Sequence, residues 1–141
     1  MTAPRDPTTE LVADLTADPP AFEALGGMAF FERLVDSFYA GVADDPVLRP
    51  LYPDADLEPA RRRLTLFLAQ YWGGPTTYSA ERGHPRLRSR HFRFGIGSQE
   101  RDRWLAHMRA AVEASGASEL WRAALLGYFE TAADAMRNLD R

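Results

Sequence analysis

Pro85-Arg86-Leu87-Arg88-Ser89-Arg90-His91-Phe92-Arg93-Phe94 is the stretch on which the reading of this chain turns. At helical offsets Leu87, His91 and Phe94 fall at i, i+4 and i+7, so they stack on one apolar face. Arg86, Arg88, Arg90 and Arg93 take the other faces. A single imidazole in apolar surroundings, fringed by guanidiniums, suits a flat apolar cofactor with a metal at its centre and carboxylates at its edge. Haem is such a molecule, and neutral imidazole is a common ligand of its iron. The plainer alternative is a core histidine that donates to a backbone carbonyl.

Outward from this segment, every strong period is helical. Ala21–Leu25 is a short apolar piece stopped by Gly26-Gly27. Met28–Ala43 carries Phe31, Leu34, Val35, Phe38 and Val42 on one stripe, with Tyr39 at its edge. Asp45–Pro53 holds three prolines and reads as a turn or a short tight helix that cannot propagate. Asp56–Trp72 is a helix whose Pro59 fits a first turn and whose end is set by Gly73-Gly74-Pro75. Thr76–His84 reads as polar loop, and Pro85 opens the short helix bearing His91. Gly95 and Gly97 break the chain again. Ser98 is the expected N-cap of a helix over 99–115, and Ser118 that of a last helix with Trp121, Leu125, Tyr128, Phe129, Ala132 and Met136 on one face. No segment shows strand alternation and there is no internal repeat. The pattern predicts an all-α domain over 21–141. Residues 1–20, with four prolines and little to bury, read as a flexible N-terminal extension with room for a helical piece near Glu10–Leu15.

Composition narrows the chemistry. The chain has 141 residues, 45% of them hydrophobic, enough for one domain with a real core. No cysteine is present, which excludes disulfides, thiolate metal sites and thiol nucleophiles. No lysine is present either, so Schiff-base and P-loop chemistry are excluded. The net charge of -3 gives no global attraction to nucleic acid, and acids such as Glu58, Glu81, Glu100 and Asp102 interrupt the arginine clusters. The longest apolar runs are too short to span a bilayer, and the N-terminus does not read as a secretion signal, so cytoplasmic residence is the expectation. The three histidines, His84, His91 and His107, lack ligand spacing for zinc. His107 is expected to reach solvent. Arg63 and Arg90 flank inward helix faces and suit bidentate pairing with a carboxylate, while Arg61 and Arg62 read as solvated surface. Tyr39, Tyr52 and Trp104 are polar aromatics that could equally be core filling.

The order of these pieces resembles the truncated haemoglobins, and among them the second group. The strings that carry the resemblance are Ala-Leu-Gly-Gly at 24–27, Ser-Phe-Tyr at 37–39, Leu-Tyr-Pro at 51–53, Phe-Leu-Ala-Gln-Tyr-Trp-Gly-Gly-Pro at 67–75, Arg-Gly-His-Pro-Arg-Leu-Arg-Ser-Arg-His at 82–91, and Glu-Arg-Asp-Arg-Trp-Leu at 100–105. The resemblance spans about Phe22 to Met136. It implies a globin-like two-over-two helical sandwich enclosing haem b. By position His91 matches the proximal iron ligand, Tyr39 the tyrosine that faces bound ligand, Tyr52 the residue after the short helix where many globins carry phenylalanine, and Trp104 the tryptophan that marks the group; these three are the expected hydrogen-bond donors to the bound gas. Ala60 falls where other globins place a distal histidine or glutamine, and Leu64, Phe67, Leu87, Phe94 and Ile96 are placed against the porphyrin. Arg93 departs from the family pattern, which usually has proline there.

The resemblance implies reversible binding of dioxygen or another diatomic ligand. Its rival is a haem enzyme that uses the same pocket for nitric oxide oxidation or peroxide turnover; a haem-free helical module is the third reading. A reductase and a second copy of the chain are partners compatible with this reading, and nucleic acid and membrane are not.

Overall fold

The computed structural model of the chain describes residues 21–91 and 94–140, the side chains of Arg88 and Ser89 excepted. The expected extension over 1–20, the helical piece near Glu10–Leu15, and Phe92 and Arg93 lie outside the described residues.

Seven α-helices follow one another among the described residues, with no strand: α1 (Ala21–Leu25), α2 (Gly27–Ala43), α3 (Glu58–Tyr71), α4 (Thr77–Arg82), α5 (Leu87–His91), α6 (Ser98–Ala114) and α7 (Glu119–Met136). A single 3-10 turn, Arg49–Leu51, sits between α2 and α3. It falls in the proline-rich stretch expected to be a turn or a tight helix. No helix among the described residues is long and apolar enough to cross a membrane.

The long helices form two layers. α2 packs on α3, α6 packs on α7, and α2 also lies against α6. The buried stripe of α2 is Phe30, Phe31, Leu34, Val35, Phe38, Tyr39 and Val42, spaced as one helical face. Met108, Ala111 and Val112 of α6 and Leu125, Tyr128 and Phe129 of α7 belong to the same core cluster. The start of α2 requires glycine, because Gly26 and Gly27 have φ of 118° and 72°. The chain also approaches itself closely at Gly74, where a Cβ would lie 2.5 Å from Phe22 Cδ1 and 2.8 Å from Ala69 O. That approach seats α1 against the end of α3. Phe22 N–H donates to Trp72 O at 2.8 Å, and the Phe22 ring stacks on Phe31.

Two local expectations are corrected. Thr76–His84 is not simply loop, since α4 occupies Thr77–Arg82. Gln70 holds it in place: its Nε2 donates to Ser79 Oγ (2.7 Å) and its Oε1 accepts from Ser79 N–H (2.9 Å). Arg62, on the surface as expected, adds a forked pair to Glu81. The N-cap of α6 is Gly97, not Ser98, which is already helical. The Glu100 carboxylate reaches back to accept from Gly97 N–H at 2.7 Å, which satisfies a donor at the helix start. Ser118 caps α7 as expected, accepting from Trp121 N–H.

Candidate functional site

Between the layers lies a cavity of about 470 Å³. Its walls bring together all twelve residues singled out from the sequence: Tyr39, Tyr52, Ala60, Arg63, Leu64, Phe67, Leu87, Arg90, His91, Phe94, Ile96 and Trp104. They come from α2, the turn after it, α3, α5, the segment after α5, and α6. Tyr78 and Arg82 of α4 and Met136 of α7 also line it, and the sequence reading had not included them. Tyr78 was hidden because its segment is polar and lacks a helical apolar stripe.

His91 ends α5. Its Nδ1–H donates to Leu87 O at 2.7 Å, one turn back, which leaves the lone pair on Nε2. Burial pushes its pKa down against the opposing effect of that hydrogen bond, and the nearby Arg90 charge pushes the same way. The ring is therefore neutral at pH 7, the form that binds a metal. Among the described residues no group of three His, Cys, Asp or Glu could hold a bare ion. A metal bound through His91 must then bring most of its ligands with it, as an iron porphyrin does.

The polar aromatics cluster on one side of the cavity. The Tyr52 hydroxyl interacts with the Tyr39 hydroxyl and with the Trp104 indole N–H, which can only donate. The Tyr39 and Tyr52 rings meet edge to face at 5.5 Å, and Trp104 is wedged between Phe38 and Phe129. Burial raises the pKa of both phenols, so both stay protonated donors. Tyr52 is held by its own backbone: Arg49 donates to Tyr52 O (2.8 Å) and to the carbonyls of Asp54 and Ala55 (2.9 Å each). The turn before it is tied by Asp45, whose carboxylate accepts from Val47 N–H, Leu48 N–H, Arg103 and His107 Nε2–H. His107 reaches solvent in part, as expected, and also binds that buried acid.

The arginines divide by use. Arg90 turns back on its own loop, donating from Nε to Pro85 O (2.6 Å) and from Nη2 to Arg82 O (2.9 Å), with its guanidinium over the Tyr78 ring. It braces the α4–α5 connection. Arg63 lines the cavity, makes no ion pair with a described acid, and lies close enough for its charge to act on both phenols.

A mostly helical sandwich with one cavity-lining imidazole and a hydroxyl–indole cluster in the same cavity defines a globin. The chain belongs to the bacterial-like globin family, whose profile matches residues 20–138, and within it to the group II truncated haemoglobins. It is 41% identical over 117 residues to the protein named Group 2 truncated hemoglobin YjbI of Bacillus subtilis, covering 83% of this chain and 87% of that one. Among solved structures it is similar to the thermostable haemoglobin of Thermobifida fusca (56% identity, TM-score 0.85, covering 86% of this chain and 99% of that chain). It is likewise similar to the haemoglobin of Chloroflexus aurantiacus (54% identity, TM-score 0.84, covering 86% and 100%). The two-over-two fold and a haem cofactor follow from this membership, as does a small diatomic ligand.

Proposed function

We propose that this protein binds haem b through His91 Nε2 and reversibly takes up dioxygen in the cavity shared with Tyr39, Tyr52 and Trp104. The supporting observation is that Nδ1 of His91 is spent on Leu87 O while its neutral ring lines the same apolar cavity as the three donors. When bound, the haem supplies an iron that coordinates a diatomic gas.

The residues of the chain do the rest. His91 offers a lone pair whose direction is fixed by the Leu87 carbonyl. Leu64, Phe67, Leu87, Phe94 and Ile96 exclude water from the porphyrin faces. Arg63 has a guanidinium available for a propionate, whereas Arg90 holds the loop that presents His91. Ala60 donates nothing, so a polar guest must be stabilised by the hydroxyls of Tyr39 and Tyr52 and the Trp104 N–H. A donor in a dry site favours a charged acceptor more strongly than it would in water.

Absorption spectra test the proposal. Purified protein loaded with haem is expected to show a five-coordinate ferrous spectrum that shifts on adding carbon monoxide or dioxygen, and His91→Gly is expected to abolish the axial bond until imidazole is added. Protein that takes up no haem, or whose spectrum is unchanged in His91→Gly, would refute it.

A further inference from the structure

Beyond the end of α7 the chain turns back, and Asn138 reaches the segment that follows His91. Its Oδ1 accepts from Ile96 N–H at 2.9 Å, and its Nδ2 donates to Phe94 O at 2.7 Å and to His91 O at 3.3 Å. The backbone joins in: Asn138 N–H and Leu139 N–H both donate to Ile96 O, at 2.8 and 3.1 Å. Gly95 runs so close to this strap that a Cβ there would come within 3.2 Å of Leu139 Cδ1. Three pieces of backbone are thus gripped by one side chain, and His91, Phe94 and Ile96 all line the cavity.

α5 has only five residues, too few to hold its own geometry by helical hydrogen bonds alone. Inside α5 the imidazole is anchored to Leu87 O; outside it, the peptide of His91 is anchored to Asn138. We infer that Asn138 is a positioning residue for His91, fixing from the far end of the chain how the imidazole meets the metal. This rests on the reading of His91 as the axial ligand.

The test uses the full chain loaded with haem, as the unmodified protein, Asn138→Ala and Asn138→Asp. The aspartate keeps an acceptor for Ile96 N–H but turns an oxygen toward two carbonyls, so its effect should equal or exceed that of alanine. Three quantities are measured: the iron–imidazole stretching band of the reduced protein by resonance Raman, the rate of haem transfer to an excess of a scavenging apoprotein, and the thermal midpoint. The band is expected to shift or broaden in both variants, and haem loss to quicken about tenfold, the size of one or two lost hydrogen bonds. A lower midpoint with band and haem loss unmoved would mean a merely structural tie and would overturn the inference.

In His91→Gly supplied with free imidazole the tether is cut, so Asn138→Asp should no longer move the band; a band that still moves is equally fatal. Where a variant fails to fold, amide exchange on the unmodified haem-loaded protein decides. Ile96 and Leu139 should exchange far more slowly than free peptide, and exchange at the free-peptide rate would overturn the clamp. Unmodified protein with no iron–imidazole band would instead sink the axial assignment of His91, and the inference with it.

Discussion

Tyr52 stands between the Tyr39 hydroxyl and the Trp104 indole, and its hydroxyl interacts with both. The three donors line one cavity and therefore act on a guest as one cluster. Trp104 can only donate, and a hydrogen bond to a charged acceptor is worth roughly 1.5–3 kcal/mol. Replacing either Trp104 or Tyr52 by phenylalanine should therefore speed dioxygen release about ten- to a hundredfold. Because the two groups interact directly, the double variant should fall short of the product of the single effects, with a coupling of at least about 0.5 kcal/mol. Stopped-flow release rates of the four proteins measure this, and strictly multiplicative effects would show that the groups act separately. His91 was legible in the sequence because one helical face and its arginine fringe identify it locally. Tyr39, Tyr52 and Trp104 were legible only as motif positions. Which of them donates to which depends on contacts between distant helices, and Asn138, outside every helical stripe, gave no local signal at all.

Asp45 shows the same limit one level up, where an element is fixed by partners far along the chain. Burial alone would raise its pKa, but hydrogen bonds from His107, the Leu48 and Val47 amides, and Arg103 more than offset that and hold it well below the ordinary carboxylate range. Through these bonds α6 holds the turn that leads to Tyr52. The folded-state pKa lies below the unfolded value of 3.8, so the unfolded chain binds the proton more readily as pH falls. The stabilisation is present above pH 3.8 and is lost as pH drops through the folded value. Asp45→Asn should cost about 2–3 kcal/mol near neutral pH, as a charge-assisted network is reduced to neutral bonds. It should also flatten the acid limb of a plot of thermal midpoint against pH; an unchanged limb would show that this carboxylate is not responsible for it. The helices with strong apolar stripes, α2, α3, α6 and α7, were legible from periodicity alone. α4 was not, because Gln70 and Arg62 on another helix hold its polar residues, and neither partner is visible within a local window.

Among the described residues every α-helix except α1 contributes a wall residue to the cavity, so the binding site exists only when the whole sandwich is assembled. Haem and fold should then be thermodynamically linked: a ligand that binds only the folded state at a thousand times its dissociation constant adds about 4 kcal/mol. Stripping the haem should lower the thermal midpoint accordingly, and equal midpoints with and without it would contradict the linkage. α1 has a different task. Ala21 is fully buried, Phe22 N–H donates to Trp72 O, and the Phe22 ring stacks on Phe31. The family match begins at residue 20, and the sequence before it has three prolines and few large apolar side chains. The boundary of the globin domain is therefore predicted to lie at the start of α1. A chain cut after residue 20 should keep the haem spectrum and a thermal midpoint within a degree or two of the full chain's, since surface changes away from the core are usually worth no more than about 0.5 kcal/mol. A chain cut after Leu25 loses the buried Ala21 and Leu25 together with the half-buried Phe22 beside Gly74 and should melt markedly lower, because removing a buried leucine alone costs about 2–5 kcal/mol. Thermal melts of the three haem-loaded proteins separate these outcomes. A large loss on removing only the first twenty residues would move the domain boundary upstream.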